Sequence, residues 1–161
     1  MKKIALILCM TLNFVFAECK LYESADEMTD EKFHWTSCGS ETFNINVFHM
    51  KKEIRPQKTN MYIIISDNIE GFLVERTKGN FGYQTIRIRI DKNKFFDVDA
   101  DIMSGYYGKN TRASFFISPD QQKQLIEGKK ILVRYITRQN KVNTESIDIS
   151  TIKTPKQEDK K

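Results

Sequence analysis

Thr85-Ile86-Arg87-Ile88-Arg89-Ile90 is the stretch that decides the fold class. Isoleucine recurs at every second position and arginine fills two of the places between, so a strand through these residues has one apolar and one charged face. A helix, with its period of 3.6, would scatter the isoleucines around its surface. The same two-residue period appears on either side. Thr42 to His49 alternates Phe43, Ile45 and Val47 with Thr42, Asn44 and Asn46. Phe95 to Met103 alternates Phe96, Val98, Ala100 and Ile102 with Asp97, Asp99 and Asp101. Tyr62-Ile63-Ile64-Ile65 is a short continuous apolar run, the pattern of a strand covered on both faces. Asp67 to Gly71 has turn chemistry, and Phe72 to Arg76 is expected to return beside that run as the second arm of a hairpin. Further strands are expected over Ala113–Ile117, Ile131–Ile136 and Ser146–Ile152, with Lys51 to Asn60 as a polar inter-strand loop around Pro56.

One helix interrupts the series. Ser118 is a good N-cap, Pro119 suits the first helical position, and Asp120 favours the positive end of the helix dipole. Leu125 and Ile126 give it an apolar side, and Gly128 is expected as a left-handed C-terminal stop. About seven short strands with one short helix predict an all-β fold, an antiparallel β-sandwich or a partly open barrel. Paired long helices and crossover patterns are missing, which argues against a doubly wound parallel sheet.

The N-terminus gives the expected address. Met1-Lys2-Lys3 is cationic, Ile4 to Phe16 is mostly apolar, and Val15-Phe16-Ala17 places small residues where a signal peptidase reads. The apolar stretch is short of the roughly 20 residues a membrane-spanning helix needs. The expectation is a signal peptide over 1–17, a β domain over 18–152 and a lysine-rich, disordered tail over 153–161, in a periplasmic or secreted protein. The whole chain has 161 residues and a net charge of +5. Losing Lys2 and Lys3 leaves 24 basic residues against 21 acidic, or +3. Charge this mild and interspersed does not make a nucleic-acid-binding face. Cys9 would leave with the signal, and Leu8 before it does not suit lipoprotein processing. Cys19 and Cys38 remain, an even pair that reads as a disulfide pinning the new N-terminus to the body.

No pattern specifies a reaction. The two histidines, His34 and His49, lack a metal-ligand spacing, and neither a Gly-x-Ser-x-Gly elbow nor a Cys-x-x-Cys pair occurs. No catalytic, cofactor or metal residues are therefore assigned. Arg87 and Arg89 on one strand face, with Asp97, Asp99 and Asp101 on the next, are expected to form a charge ladder, the alternative being a calcium or anion site. Trp35, close to Cys38, reads as packing, with sugar stacking as the alternative. The loop Ser104-Gly105-Tyr106-Tyr107-Gly108 is the candidate binding element, since tyrosines beside glycines supply large amphipathic contact area; the alternative has both rings folded onto the core.

Three segments together carry a resemblance: Asp26-Glu27-Met28-Thr29-Asp30-Glu31-Lys32, then Ile86 to Asp91, then Ala113-Ser114-Phe115-Phe116-Ile117 leading through the helix to Gly128-Lys129-Lys130-Ile131-Leu132-Val133-Arg134-Tyr135. In this order they resemble small exported β-sandwich proteins of Gram-negative envelopes, the type VI secretion-associated accessory proteins and the invasion-associated locus B family. The resemblance implies the fold and an envelope compartment; the signal peptide, the strand pattern and the missing catalytic constellation together lead to the expectation of a non-catalytic, envelope-associated accessory or binding protein with an envelope or secreted protein as partner. Ser104-Gly105-Tyr106-Tyr107 is also similar to the inhibitory loop of periplasmic lysozyme inhibitors, which implies enzyme inhibition as the alternative.

Overall fold

The computed structural model describes residues 19–25, 32–54, 59–103 and 111–152. Over them the backbone builds one antiparallel sheet of ten strands: β1 (Lys20–Ala25), β2 (Lys32–Gly39), β3 (Phe43–Ile54), β4 (Thr59–Asp67), β5 (Arg76–Lys78), β6 (Phe81–Ile90), β7 (Phe96–Met103), β8 (Arg112–Phe116), β9 (Lys130–Ile136) and β10 (Val142–Asp148). A single helix, α1 (Pro119–Glu127), lies between β8 and β9. The strands are ordered β1-β2-β3-β4-β8-β7-β6-β9-β10, with β5 attached to β6. The sheet curls until β10 comes back beside β2 and β3, with which it forms no ladder, so the barrel is left open along one seam.

Alternation drives the curl. Ile86, Ile88 and Ile90 turn inward and are fully buried, as the period of two predicts. Ile45, Val47, Ile63, Ile65, Phe115, Ile131, Val133 and Ile147 meet them in one core. Burying a side chain of this size contributes about 1.5–3 kcal/mol, and the wall they line is continuous around the inside. Ser118 caps α1 as its sequence demands: Gln121 N donates to its hydroxyl at 3.4 Å, and Ser118 N donates to Gln121 Oε1 at 2.8 Å. Leu125 then drops into the core.

Several expectations are corrected. β1, β2 and β5 lie outside the pattern read from the sequence. β3 runs on to Ile54 and β4 begins at Thr59, so most of the stretch taken as a loop over Lys51–Asn60 is strand. The last strand lies earlier, at Val142–Asp148, although Ile147 and Ile149 are buried as expected. Phe72 to Arg76 is not a hairpin arm. β4 already has β3 and β8 on its two sides, so Phe72 bridges Thr137 instead. Buried Gln84 fixes that detour, donating to the carbonyls of Leu73 and Ile136 at 2.8 Å each and accepting from Ile136 N. Gly128 is extended (φ −77°), not left-handed. Glycine is required there for room: a Cβ would lie 2.5 Å from Ile90 Cγ2 and 2.8 Å from the Gln124 carbonyl.

Candidate functional site

The open seam lies between β10 and the β2–β3 side of the sheet. A cleft of about 770 Å³ runs along it. β10 forms one wall, through Asn143, Glu145, Ser146, Ile147 and Asp148. The β2–β3 turn and the start of β3 form the other, through Gly39, Ser40, Thr42 and Phe43. Asp67, Ile69 and Glu70 stand towards the Asn143 end, and Lys129 and Lys130 towards the Asp148 end. Gly39 makes the second wall possible. Its φ of +113° suits only glycine, and any Cβ would strike the Phe43 carbonyl at 2.5 Å.

Two sets of contacts tie the walls together at their base and at one end. Beneath the cleft, Tyr135 of β9 donates its hydroxyl proton to Asp67 Oδ2 at 2.7 Å and accepts from Asn143 Nδ2 at 3.0 Å. Asp67 also receives Ile69 N and Glu70 N on its other oxygen. The ring of Tyr135 stacks on Phe43 across the seam, centroids 5.8 Å apart. Burial, then the hydrogen bond to Asp67, raises the Tyr135 pKa and keeps the phenol protonated. At the far end, Cys19, the residue before β1, is bonded to Cys38 of β2, Cα atoms 4.2 Å apart. Cys19 N donates to Thr151 Oγ1 at 3.0 Å, tying the start of β1 to the chain that leaves β10. The disulfide expected from the cysteine count is present, and it anchors the seam.

The other candidate residues fall elsewhere. Ser104 to Gly108 lies outside the described residues, as do the segment around Met28, residues 1–17 and the tail. Arg87 pairs with Asp97 directly across β6–β7, two nitrogens on two oxygens at 2.8 and 2.9 Å, and its guanidinium lies 4.1 Å over the Phe95 ring. The second pair is Arg76 with Asp99 at 2.7 Å; the arginine comes from β5 and not from position 89. Arg89 faces Leu132, and Asp101 faces Tyr83. Two of the three aspartates are thus neutralised by arginine, the ladder reading and not a calcium site. Trp35 stacks between Tyr22 (5.4 Å) and Phe48 (5.8 Å), within a row Tyr22–Trp35–Phe48–Tyr62–Phe116 across five neighbouring strands. Both faces of its indole are covered, which leaves none for a sugar.

His34 and His49 sit opposite each other on β2 and β3. Burial, then the neighbouring His34, lowers the pKa of His49, whose Nε2 is buried without a hydrogen bond among the described residues. The described residues hold no group of three or more His, Cys, Asp or Glu spaced for a metal ion, and no helix among them is long and apolar enough to cross a membrane.

Nothing in the linear order announces the cleft. Asp67, Tyr135 and Asn143 come from three elements and meet only because β4 and β9 curl towards each other. The one local signal is weak: Asn143 and Glu145 are polar at inward positions of β10, where the period of two would place apolar residues.

No protein family matches the sequence, and no curated protein matches it. Among solved structures, the fold is similar to the crystal structure of invasion associated protein B from Bartonella henselae. That similarity covers 84% of this chain and 86% of the other, with a TM-score of 0.57 and 9% sequence identity. At this identity the likeness is one of fold: the half-open antiparallel barrel is shared.

Proposed function

We propose that this chain is a non-catalytic accessory protein of the bacterial envelope that works by binding another macromolecule at its open seam. The seam itself carries the reading. Among the described residues it is a concave surface where backbone, charge and apolar side chains converge on an opening, with the Tyr135–Asp67 bond below it and the disulfide beside it. Its polar groups suit holding more than chemistry. The Asp67 carboxylate accepts from two backbone N–H groups and a phenol, and the phenol is kept protonated. The disulfide supports an oxidising compartment, as does the N-terminal sequence. The fold is similar to that of a protein described as invasion associated, which is compatible with this reading.

Fractionation of cells carrying a C-terminally tagged chain tests the address. The expected result is a periplasmic or secreted species beginning near Glu18. A full-length cytoplasmic species would refute it. Photocrosslinking in the same cells from position 145, on the seam, is expected to join the chain to an envelope or secreted protein. Crosslinks from the outer position 89 only would move binding elsewhere.

A further inference from the structure

We infer that the seam receives one extended peptide strand, supplied by a partner protein, which pairs with the free edge of β10 and completes the barrel. The inference rests on the binding reading above and gives the partner a chemistry.

The edge has a defined hydrogen-bond pattern. In an antiparallel pair, residues alternate between those that bond the neighbouring strand and those that point away. Ile149 N donates to the Lys129 carbonyl and Thr137 N to the Lys141 carbonyl, which places the odd-numbered residues of β10 in the positions bonded to β9. Thr144 and Ser146 therefore aim N–H and C=O away from β9. Thr144 N is already satisfied by Asn143 Oδ1 at 2.8 Å. Among the described residues, what remains is the Thr144 carbonyl and both groups of Ser146, an exposed residue that lines the cleft. An acceptor and a donor–acceptor pair two residues apart, about 6.8 Å, match the backbone of an extended chain.

The chain's own strands do not supply that match: β2 and β3, which come beside β10, are each already paired on both sides. β1 is paired with β2, and Cys19 just before it is held by the disulfide to Cys38 and by its amide to Thr151, so β1 cannot slide across to β10. A strand of about five residues, near the common length, would lie alongside β10 from Val142 to Ile147, since at Asp148 the outward carbonyl is already in contact with Cys19 Sγ. Its inward side chains would meet Phe43 and Ile147. At one end Lys129 and Lys130 favour an acidic residue; at the other Glu70 favours a basic one. The partner segment is thus extended, apolar at alternate positions and oppositely charged at its ends, the strand-addition mode of peptide recognition.

The test uses the folded, disulfide-bonded chain and a phage-displayed library of random nine-residue peptides, with recovered peptides resynthesised. Enriched peptides are expected to lose affinity about tenfold when N-methylated at alternate residues and to keep it when methylated between them. Ser146→Pro, which removes an amide not bonded to β9, should weaken binding by about tenfold or more while the melting temperature stays close to that of the parent. No enrichment, tolerance of N-methylation at every position, or unchanged binding by Ser146→Pro would overturn the inference. So would a photocrosslinker at position 146 of the isolated protein that joins to its own chain or to a second copy. An envelope partner that binds Ser146→Pro as well as the parent would refute strand addition and leave the accessory role standing. A cytoplasmic chain would refute the accessory role instead.

Discussion

The β6–β7 hairpin and the seam beside β10 are built from the same residue types and end in opposite states. On the hairpin two acids meet arginines: Asp97 meets Arg87 across the ladder, and Asp99 meets Arg76 of the adjoining β5. At the seam, Glu70, Lys129, Lys130 and the Ser146 backbone line an opening. Beneath that opening the buried groups are satisfied as fully as on the hairpin, with Asp67, Tyr135 and Asn143 bonded to one another. The difference teaches where function is to be sought. A charge already answered inside the fold orders register and solubility, whereas groups that line a braced opening are available to a partner.

The comparison can be broken by stability measurements, which should rank the seam braces above the hairpin pairs. The largest loss belongs to the disulfide. Cys38→Ala should lower unfolding free energy by about 2–5 kcal/mol, read from denaturant titration, with the parent in reductant falling alike. Tyr135→Phe comes next. It deprives buried Asp67 of one donor, and its expected cost is about 1–3 kcal/mol; an unchanged midpoint would show that the polar brace is dispensable.

A smaller effect is pH-dependent. His49 has its pKa lowered in the fold, so the unfolded chain binds the proton more readily. Its contribution is complete above its ordinary value of 6.5 and is lost as pH falls from there through the lowered value. The melting temperature should therefore drop between pH 7 and pH 5, and His49→Gln should reduce that drop. The smallest change is expected on the hairpin. Arg87→Ala removes an exposed pair that water and salt already screen, and the melting temperature should hardly move. Asp97 and Asp99 have lowered pKa values through their arginines, so what the pairs add is present above the usual carboxylate range and disappears as pH falls through the lowered values. Should Arg87→Ala cost as much as Tyr135→Phe, the comparison would fail.

The hairpin was legible in the sequence and the seam was not, for a physical reason. Arg87 and Asp97 lie ten residues apart, joined by one turn, so a period of two places them face to face without any knowledge of the rest. The fold class followed from the same local alternation. Asp67 and Tyr135 are 68 residues apart, and their meeting depends on how far a ten-stranded sheet curls. The aromatic row has the same property: Tyr62 and Phe116 pair only because β8 docks on β4. β1 and β2 were missed because their inward positions include Glu23, His34 and Thr36, which give no apolar alternation. The cysteines were legible without geometry, since an even count in a chain read as exported suffices to pair them.

Amide hydrogen exchange along β10 tests the central claim most directly. If the edge is open, the Ser146 amide exchanges near the rate of an unstructured chain, while Glu145 and Ile147, bonded to β9, are strongly protected. Protection of Ser146 equal to that of its two neighbours would mean that the edge is already paired and that the seam offers no place for a strand.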